Sequence, residues 1–138
     1  MADIFISYAR EDRSRIEPLA KSLEELDWSV FWDRTIPAGK TWRQVIGDAL
    51  KSARSVIVVW SKTSVESRWV QEESDWGLER NILIPILIDD IRPPLGFAAV
   101  QAADLVNWNP AQSSPEFEKL ISDISIILGP PPKHVTET

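Results

Sequence analysis

The segment from Arg54 to Asn81 constrains the fold more than any other part of the sequence. Val56 to Trp60 is an unbroken apolar run, rich in β-branched residues, which is typical of a strand covered on both faces in a parallel sheet. Thr63-x-x-Glu66 matches a capping box and predicts that a helix begins near residue 64 or 65. We therefore expect a central strand that leads directly into a helix.

The predicted helix has two contrasting faces. At about 100° per residue, one stripe mixes aromatic, small and ionisable residues, and the opposite stripe is charged. The first stripe contains Glu66, Trp69, Val70, Glu73, Trp76, Gly77 and Arg80, and the second contains Arg68, Glu72, Asp75 and Glu79. Because a buried, unpaired carboxylate costs several kcal/mol, Glu73 is either a functional residue or a rim acid paired with Arg80 or another base.

Similar patterns extend along the whole chain and predict its fold class. Further strands are predicted at Ile4–Ile6, Ser29–Trp32, Ile82–Ile88 and Asp104–Trp108, and further helices around Ile16–Leu26, Trp42–Leu50 and Pro115–Leu128. Pro85 indicates a bulge or a sheet edge in the fourth strand. Strands alternating with helices predict an α/β domain, a flavodoxin-like five-stranded parallel sheet with helices on both faces.

Composition excludes several classes of function. The chain has 138 residues, enough for one domain, a net charge of −6 and no cysteine. The negative charge argues against nucleic acid as a partner, and the lack of cysteine excludes disulfides and thiolate chemistry. The single histidine, His134, lies beyond the prolines of residues 130–132, which excludes serine–histidine catalysis and multi-histidine metal sites. No apolar run is long enough to span a bilayer, so we expect a cytoplasmic protein without membrane contact.

Three sequence blocks, in this order, resemble the Toll/interleukin-1 receptor (TIR) domain family, and most of all its bacterial branch. These are FISYAREDR at residues 5–13, VFWDRTIPAGKTW at residues 30–42 and SKTSVESRWVQEE at residues 61–73. The resemblance covers roughly residues 1–128, and we expect residues 129–138 to be a proline-rich linker or a disordered tail.

This resemblance implies a five-stranded flavodoxin-like sheet and one of two functions. The first is an NAD+ glycohydrolase, activated by self-association, that releases nicotinamide and ADP-ribose or a cyclic ADP-ribose isomer. The second is a non-catalytic adaptor or effector that acts through contacts between TIR domains. The implied partners are NAD+, as substrate, and either further copies of the chain or other TIR domains. Neither a metal nor a further cofactor is expected.

The resemblance also implies roles for particular residues. Enzymatic members carry a glutamate four residues after a tryptophan on this helix, so Glu73 is the expected catalytic residue and Trp69 the expected stacking partner of a ring. Trp69 as a plain core residue is the alternative. Arg10 resembles a basic residue near the phosphates, although a surface ion pair with Glu11 or Asp12 explains it equally well.

Two further groups of residues complete the expected site. Because ligands of such sheets bind beyond the carboxyl ends of the strands, substrate contacts are also expected from Tyr8, Asp33 and Ser61. The resemblance implies a further contact from Trp42, the aromatic residue that follows the glycine of the next loop. The loop at residues 33–41 resembles the BB loop, which in the family gates the pocket and joins neighbouring subunits. Its expected assembly residues are Arg34, Ile36, Pro37, Gly39 and Lys40. Gly39 as a residue that simply permits positive φ, and Trp42 as a helix anchor, are the alternatives.

Overall fold

A single parallel sheet organises the chain. The computed structural model describes residues 2–112 and 114–132. Within them the elements alternate as β1 (Ile4–Ser7), α1 (Arg13–Glu24), β2 (Val30–Phe31), α2 (Trp42–Ser52), β3 (Ser55–Trp60), α3 (Arg68–Glu79), β4 (Leu83–Leu87), β5 (Ala103–Asp104) and α4 (Pro115–Leu128). The strand order is β2-β1-β3-β4-β5 and every neighbouring pair is parallel. The expected flavodoxin-like α/β fold is confirmed.

Two apolar cores lie on opposite faces of the sheet. All six residues of β3 are buried, and alternate side chains enter different cores because successive residues of a strand point to opposite faces. Ile57 and Val59 pack on the side of α1 and α4, whereas Val56, Val58 and Trp60 pack on the side of α2 and α3. The unbroken apolar run of β3 therefore reflects a central strand covered by helices on both faces.

The start of α3 differs from the sequence prediction. The Thr63 side chain makes no capping hydrogen bond, and Ser64–Glu66 forms a short 3-10 turn. The Ser64 hydroxyl instead accepts a bond from the Ser61 amide and donates to the Val59 carbonyl, which closes the chain tightly against the end of β3. Ser67, in an extended conformation, is the cap and accepts from the Val70 amide over 3.2 Å. The helix consequently begins at Arg68 rather than at residue 64 or 65.

The proline in β4 causes neither a bulge nor an edge strand. β4 lies between β3 and β5, and Pro85 keeps regular register with Val58. The Ile88 amide donates to Trp60 of β3 and the Leu87 carbonyl accepts from Leu105, so odd-numbered residues of β4 direct their backbone polar groups toward β5. Because β5 pairs only with Ile86 and Leu87, no ladder bond is required from Pro85.

The last strand and the end of the domain also depart from the simple pattern. β5 is Ala103–Asp104 rather than Asp104–Trp108, because the Asp104 carboxylate accepts from the Val106 amide and a turn follows, closed by a Trp108 to Leu105 backbone bond. α4 ends at Leu128, before a glycine of positive φ. Residues 133–138 lie outside the described residues, so the tail stays a prediction. Among the described helices, none is long and apolar enough to cross a membrane.

Candidate active site

A cleft of about 1130 Å³ opens near the carboxyl ends of β1, β2 and β3. Small-molecule sites typically measure roughly 300–1,000 Å³, so the cleft has room for a dinucleotide. Six of the residues expected at the site line it, namely Tyr8, Arg10, Arg34, Ile36, Trp42 and Trp69. The topology therefore brings together three segments that are distant in sequence, as expected for the ligand-binding edge of this fold.

Glu73 lies in the protein interior and does not line the cleft. Its relative exposure is 2%, and the Ser7 hydroxyl donates to its Oε1 over 2.7 Å. The Arg34 guanidinium donates from Nη1 to Oε2 over 3.0 Å and from Nη2 to Oε1 over 3.2 Å. Glu73 is thus paired with a base, as the structural alternative expected, but the base is Arg34 and the carboxylate is not on the rim. Arg80 instead stacks on Trp76 and contacts Glu79.

The close approach of α3 to the sheet explains this burial. Gly77 follows Glu73 by one helical turn, and a Cβ at this glycine would lie 2.9 Å from the Cβ of Val56. Only glycine therefore allows α3 to pack so near β3. As residues i and i+4 share a helix face, the Glu73 carboxylate is carried against the end of the neighbouring strand, β1.

Arg34 is held by more than its partner carboxylate. Its Nη2 also donates to the Ile6 carbonyl over 2.8 Å, and its guanidinium lies 4.8 Å from the Phe5 ring centroid and 5.3 Å from that of Tyr8. The loop bends locally because the Asp33 carboxylate accepts from both the amide and the hydroxyl of Thr35. The Arg34 side chain is 20% exposed and lines the cleft, whereas Glu73 is buried and does not. Arg34 therefore lies between Glu73 and the cleft.

The cleft walls combine aromatic surface with charged side chains of both signs, since Glu11 and Glu66 line the cleft beside its arginines. Trp42 and Trp69 form an edge-to-face pair with ring centroids 4.9 Å apart, and each residue remains more than 40% exposed. Trp69 is therefore not a plain core residue. Arg10 and Arg13 line the same cleft, and Arg13 stacks over Trp32 at 4.8 Å. Exposed rings and two guanidinium groups are suited to a ligand with flat bases and anionic groups.

Tyr8 connects the cleft to loop 33–41. Its hydroxyl donates to the Trp32 carbonyl at the end of β2, where the loop begins. Burial raises the pKa of the Tyr8 hydroxyl, and the nearby charges of Arg34 and Arg13 oppose this effect. The phenol is therefore neutral around neutral pH and acts as a hydrogen-bond donor that fixes the loop entrance.

Residues 4–121 match the sequence model of the TIR domain family. The chain belongs to the TIR domain family. This confirms the resemblance inferred from the three sequence blocks.

Two bacterial proteins are similar in sequence to this TIR domain. It is 35% identical over 82 residues to the 2' cyclic ADP-D-ribose synthase AbTIR of Acinetobacter baumannii, covering 58% of this chain and 30% of that protein. It is 32% identical over 92 residues to the NAD(+) hydrolase TcpC of Escherichia coli O6:H1, covering 61% and 30%. Both relatives are bacterial, in agreement with the expected bacterial type. The chain spans about 30% of the length of each.

A solved structure supports the same assignment over nearly the whole fold. The TIR domain of the Toll-related receptor TRR-2 of Hydra magnipapillata superposes with a TM-score of 0.76 at 25% sequence identity. The match covers 90% of this chain and 98% of the other.

Some residues expected to bind substrate are not in the cleft of this TIR domain. Ser61 has no exposed surface, and its hydroxyl donates to the buried Asp12 carboxylate. Asp33 is exposed beside the cleft, where it pairs with Arg13 over 3.5 Å. The hydrogen bonds from Thr35 lower the pKa of Asp33.

The outer part of loop 33–41 is also exposed and does not line the cleft. It contains Pro37, Gly39 and Lys40, and the Lys40 amide donates to the Pro37 carbonyl in a turn that Gly39 completes at φ +87°. Sequence reasoning missed two residues that matter to the site. These are Arg13 and Ser7, of which Ser7 had a readable signal as the polar residue that ends an apolar strand.

Proposed function

We propose that this TIR domain is an NAD+ glycohydrolase. It cleaves the bond between nicotinamide and ribose, and releases nicotinamide with ADP-ribose or a cyclic ADP-ribose isomer. The observation that carries the proposal is the buried carboxylate of Glu73, one helical turn from the exposed Trp69 at the wall of a dinucleotide-sized cleft. The activities in the names of the two bacterial relatives, an NAD(+) hydrolase and a cyclic ADP-ribose synthase, support it.

One carboxylate is sufficient for this reaction. Nicotinamide is cationic while it is attached to ribose and leaves as a neutral base, so no general acid has to protonate it. Positive charge develops on the ribose, and a fixed negative group nearby stabilises it, as in glycoside hydrolysis. Glu73 supplies this charge, while water or a hydroxyl of the same molecule attacks the anomeric carbon and finally releases a proton.

The cleft walls hold the rest of the substrate in this proposal. Trp42 and Trp69 offer stacking surfaces to the adenine and nicotinamide rings, and Arg10 and Arg13 face the diphosphate. Ser7 fixes the orientation of the Glu73 carboxylate. Activity depends on self-association, through the exposed residues of loop 33–41.

A second candidate is a non-catalytic adaptor that binds other TIR domains. The specific observation in its favour is the ion pair of Arg34 with Glu73, which occupies both carboxylate oxygens and covers them from the cleft. In that function the same pair is a structural link between β1, loop 33–41 and α3.

NAD+ consumption with product identification separates the two candidates. Wild type, Glu73→Gln and the control Glu72→Gln are compared over a wide range of protein concentration and on a clustering support. Glu72 is a suitable control because it precedes Glu73 in sequence but its side chain is 56% exposed. Turnover that rises steeply with concentration and is lost only in Glu73→Gln is expected. Intact NAD+ at every concentration, with a TIR partner bound equally by all three proteins, would establish the adaptor.

A further inference from the structure

Arg34 stands between the cleft and the buried carboxylate. Its side chain lines the cleft, whereas Glu73 is not among the lining residues. On the inner side, both terminal nitrogens of Arg34 bind the two oxygens of Glu73. A ligand in the cleft therefore reaches the guanidinium before it reaches the carboxylate.

We propose that Arg34 is an intramolecular competitor of the cationic part of the substrate. This regulation of the site rests on the proposed function: the guanidinium pairs with the carboxylate charge that the nicotinamide riboside cation requires. Substrate reaches Glu73 only when Arg34 has left, and the two cations exclude each other at one carboxylate.

The burial of Glu73 couples the departure of Arg34 to the arrival of the substrate cation. If Arg34 departs with no replacement, a carboxylate that is 2% exposed keeps only the Ser7 hydroxyl among its described hydrogen-bond partners, which is an unfavourable state. A pyridinium ring restores the opposite charge as the guanidinium leaves. A neutral ring leaves the Glu73 carboxylate without an opposite charge. The exchange consequently favours ligands by their charge as well as by their shape.

The surroundings of Arg34 are compatible with such an exchange. The residue belongs to a loop whose other end, Pro37 to Lys40, is exposed, so the backbone there is not packed in either core. The Nε atom of Arg34 is buried without a hydrogen-bond partner among the described residues, so not every donor of the guanidinium is satisfied in the closed position. Glu11 and Glu66 also line the cleft and offer carboxylates to the displaced side chain.

Equilibrium binding tests the competition separately from catalysis. The probes are a non-cleavable NAD+ analogue with a carbocyclic ribose, which keeps the pyridinium charge, and NADH, whose nicotinamide ring is neutral. Binding is followed by calorimetry for wild type, Arg34→Gln, Arg34→Lys and Arg68→Gln. The last is a matched charge control, because Arg68 lies on α3 with its side chain 92% exposed.

Loss of the competitor is expected to increase the preference for the cation. The ratio of the Kd of NADH to that of the cationic analogue rises about tenfold in Arg34→Gln, a size typical of coupled equilibria. It rises about threefold in Arg34→Lys, because an ammonium cannot bind both carboxylate oxygens as a planar fork. Arg68→Gln keeps the wild-type ratio. For NAD+ turnover by the dilute protein, KM falls in Arg34→Gln.

The possible results separate competition by Arg34 from the proposed glycohydrolase activity. A ratio that stays constant or falls in folded Arg34→Gln overturns the competition, even if wild type cleaves NAD+. A ratio that rises while no form cleaves NAD+ supports the competition and refutes the glycohydrolase. If circular dichroism shows that Arg34→Gln is unfolded, Arg34→Lys decides alone, since it retains a cation beside Glu73. A wild-type ratio in that folded variant then overturns the proposal.

Discussion

Ser7 donates its hydroxyl hydrogen to Oε1 of Glu73 over 2.7 Å and so joins the carboxyl end of β1 to α3. The main chain of Ser7 is fixed by the sheet, where it pairs in register with Val58. Unlike Arg34, which extends from a loop, this donor does not depend on the conformation of loop 33–41. Ser7 therefore orients the carboxylate both when Arg34 is bound to it and when Arg34 has left.

Replacing Ser7 by alanine is expected to destabilise the fold and to reduce turnover. Glu73 loses a buried bond to a charged group, and such bonds contribute about 1.5–3 kcal/mol to the free energy of unfolding. Urea unfolding of Ser7→Ala measures the loss, with Ser14→Ala as the control because Ser14 is exposed on α1. Equal urea midpoints for both variants would show that Glu73 does not need this donor.

The sequence predicts the fold well because its signals are local and repeated. The apolar run of β3 and the stripes of the helices report which faces are buried, and the alternation of strands with helices predicts parallel strands joined by right-handed crossovers. The stripe on α3 likewise placed Glu73 on a face with Trp69. It did not reveal how deeply Glu73 is buried, because that depends on the contact between Gly77 and Val56, which are distant in sequence.

The partners at the site were not predictable in the same way. Arg34 and Glu73 are 39 positions apart, and their pairing depends on the bend that Asp33 and Thr35 give to the loop. The start of α3 was misplaced for a related reason. The capping pattern at Thr63 ignores the competing bond of Ser64 to the Val59 carbonyl, which exists only once β3 has formed.

Ser61→Ala is expected to weaken the fold without affecting substrate binding. The Ser61 hydroxyl is buried, donates to Asp12 and accepts from the Ser64 amide over 3.0 Å. Removing it leaves the Asp12 carboxylate and the Ser64 amide each short of a partner, which lowers the free energy of unfolding by about 1–3 kcal/mol. The urea midpoint should fall while KM for NAD+ stays at the wild-type value. A raised KM with unchanged stability would instead return Ser61 to the binding site. Ser122→Ala, on the exposed side of α4, is the control.

The pair formed by Arg15 and Asp89 predicts a pH dependence of stability. The Arg15 hydrogen bond, followed by that from the Lys62 amide, lowers the pKa of Asp89 from its ordinary value of 3.8. A group whose folded pKa is depressed stabilises the fold above its unfolded pKa, and this contribution is lost as pH falls through the folded value. Wild type should therefore exceed Asp89→Asn in stability at about pH 6, and the difference should shrink below about pH 4.

Urea midpoints at several pH values test this prediction. Asp90→Asn is the matched control, because Asp90 is the exposed neighbour of Asp89. It should follow the wild-type pH profile. A difference between wild type and Asp89→Asn that is the same at every pH would mean that the charge of Asp89 does not contribute.

Two helical glycines are expected to respond oppositely to replacement by alanine. A Cβ at Gly77 would lie 2.9 Å from Val56 Cβ and 3.2 Å from Val56 Cγ2, whereas a Cβ at Gly47 of α2 would meet nothing within 4 Å. Alanine favours a helix over glycine by up to about 1 kcal/mol, so Gly47→Ala should stabilise the protein. Gly77→Ala should instead destabilise the protein, because Val56 is a buried β-branched residue. The overpacking there costs about 1–3 kcal/mol, which exceeds the gain in helix propensity.

The Gly77 variant also tests the connection between packing and catalysis. If α3 moves away from β3 to accommodate the new methyl group, Glu73, one turn earlier on the same face, moves away from Ser7 and Arg34. NAD+ turnover should therefore fall in Gly77→Ala and stay unchanged in Gly47→Ala, as measured on the same preparations used for urea unfolding. A stable and fully active Gly77→Ala protein would show that the close approach of α3 is not what positions the carboxylate.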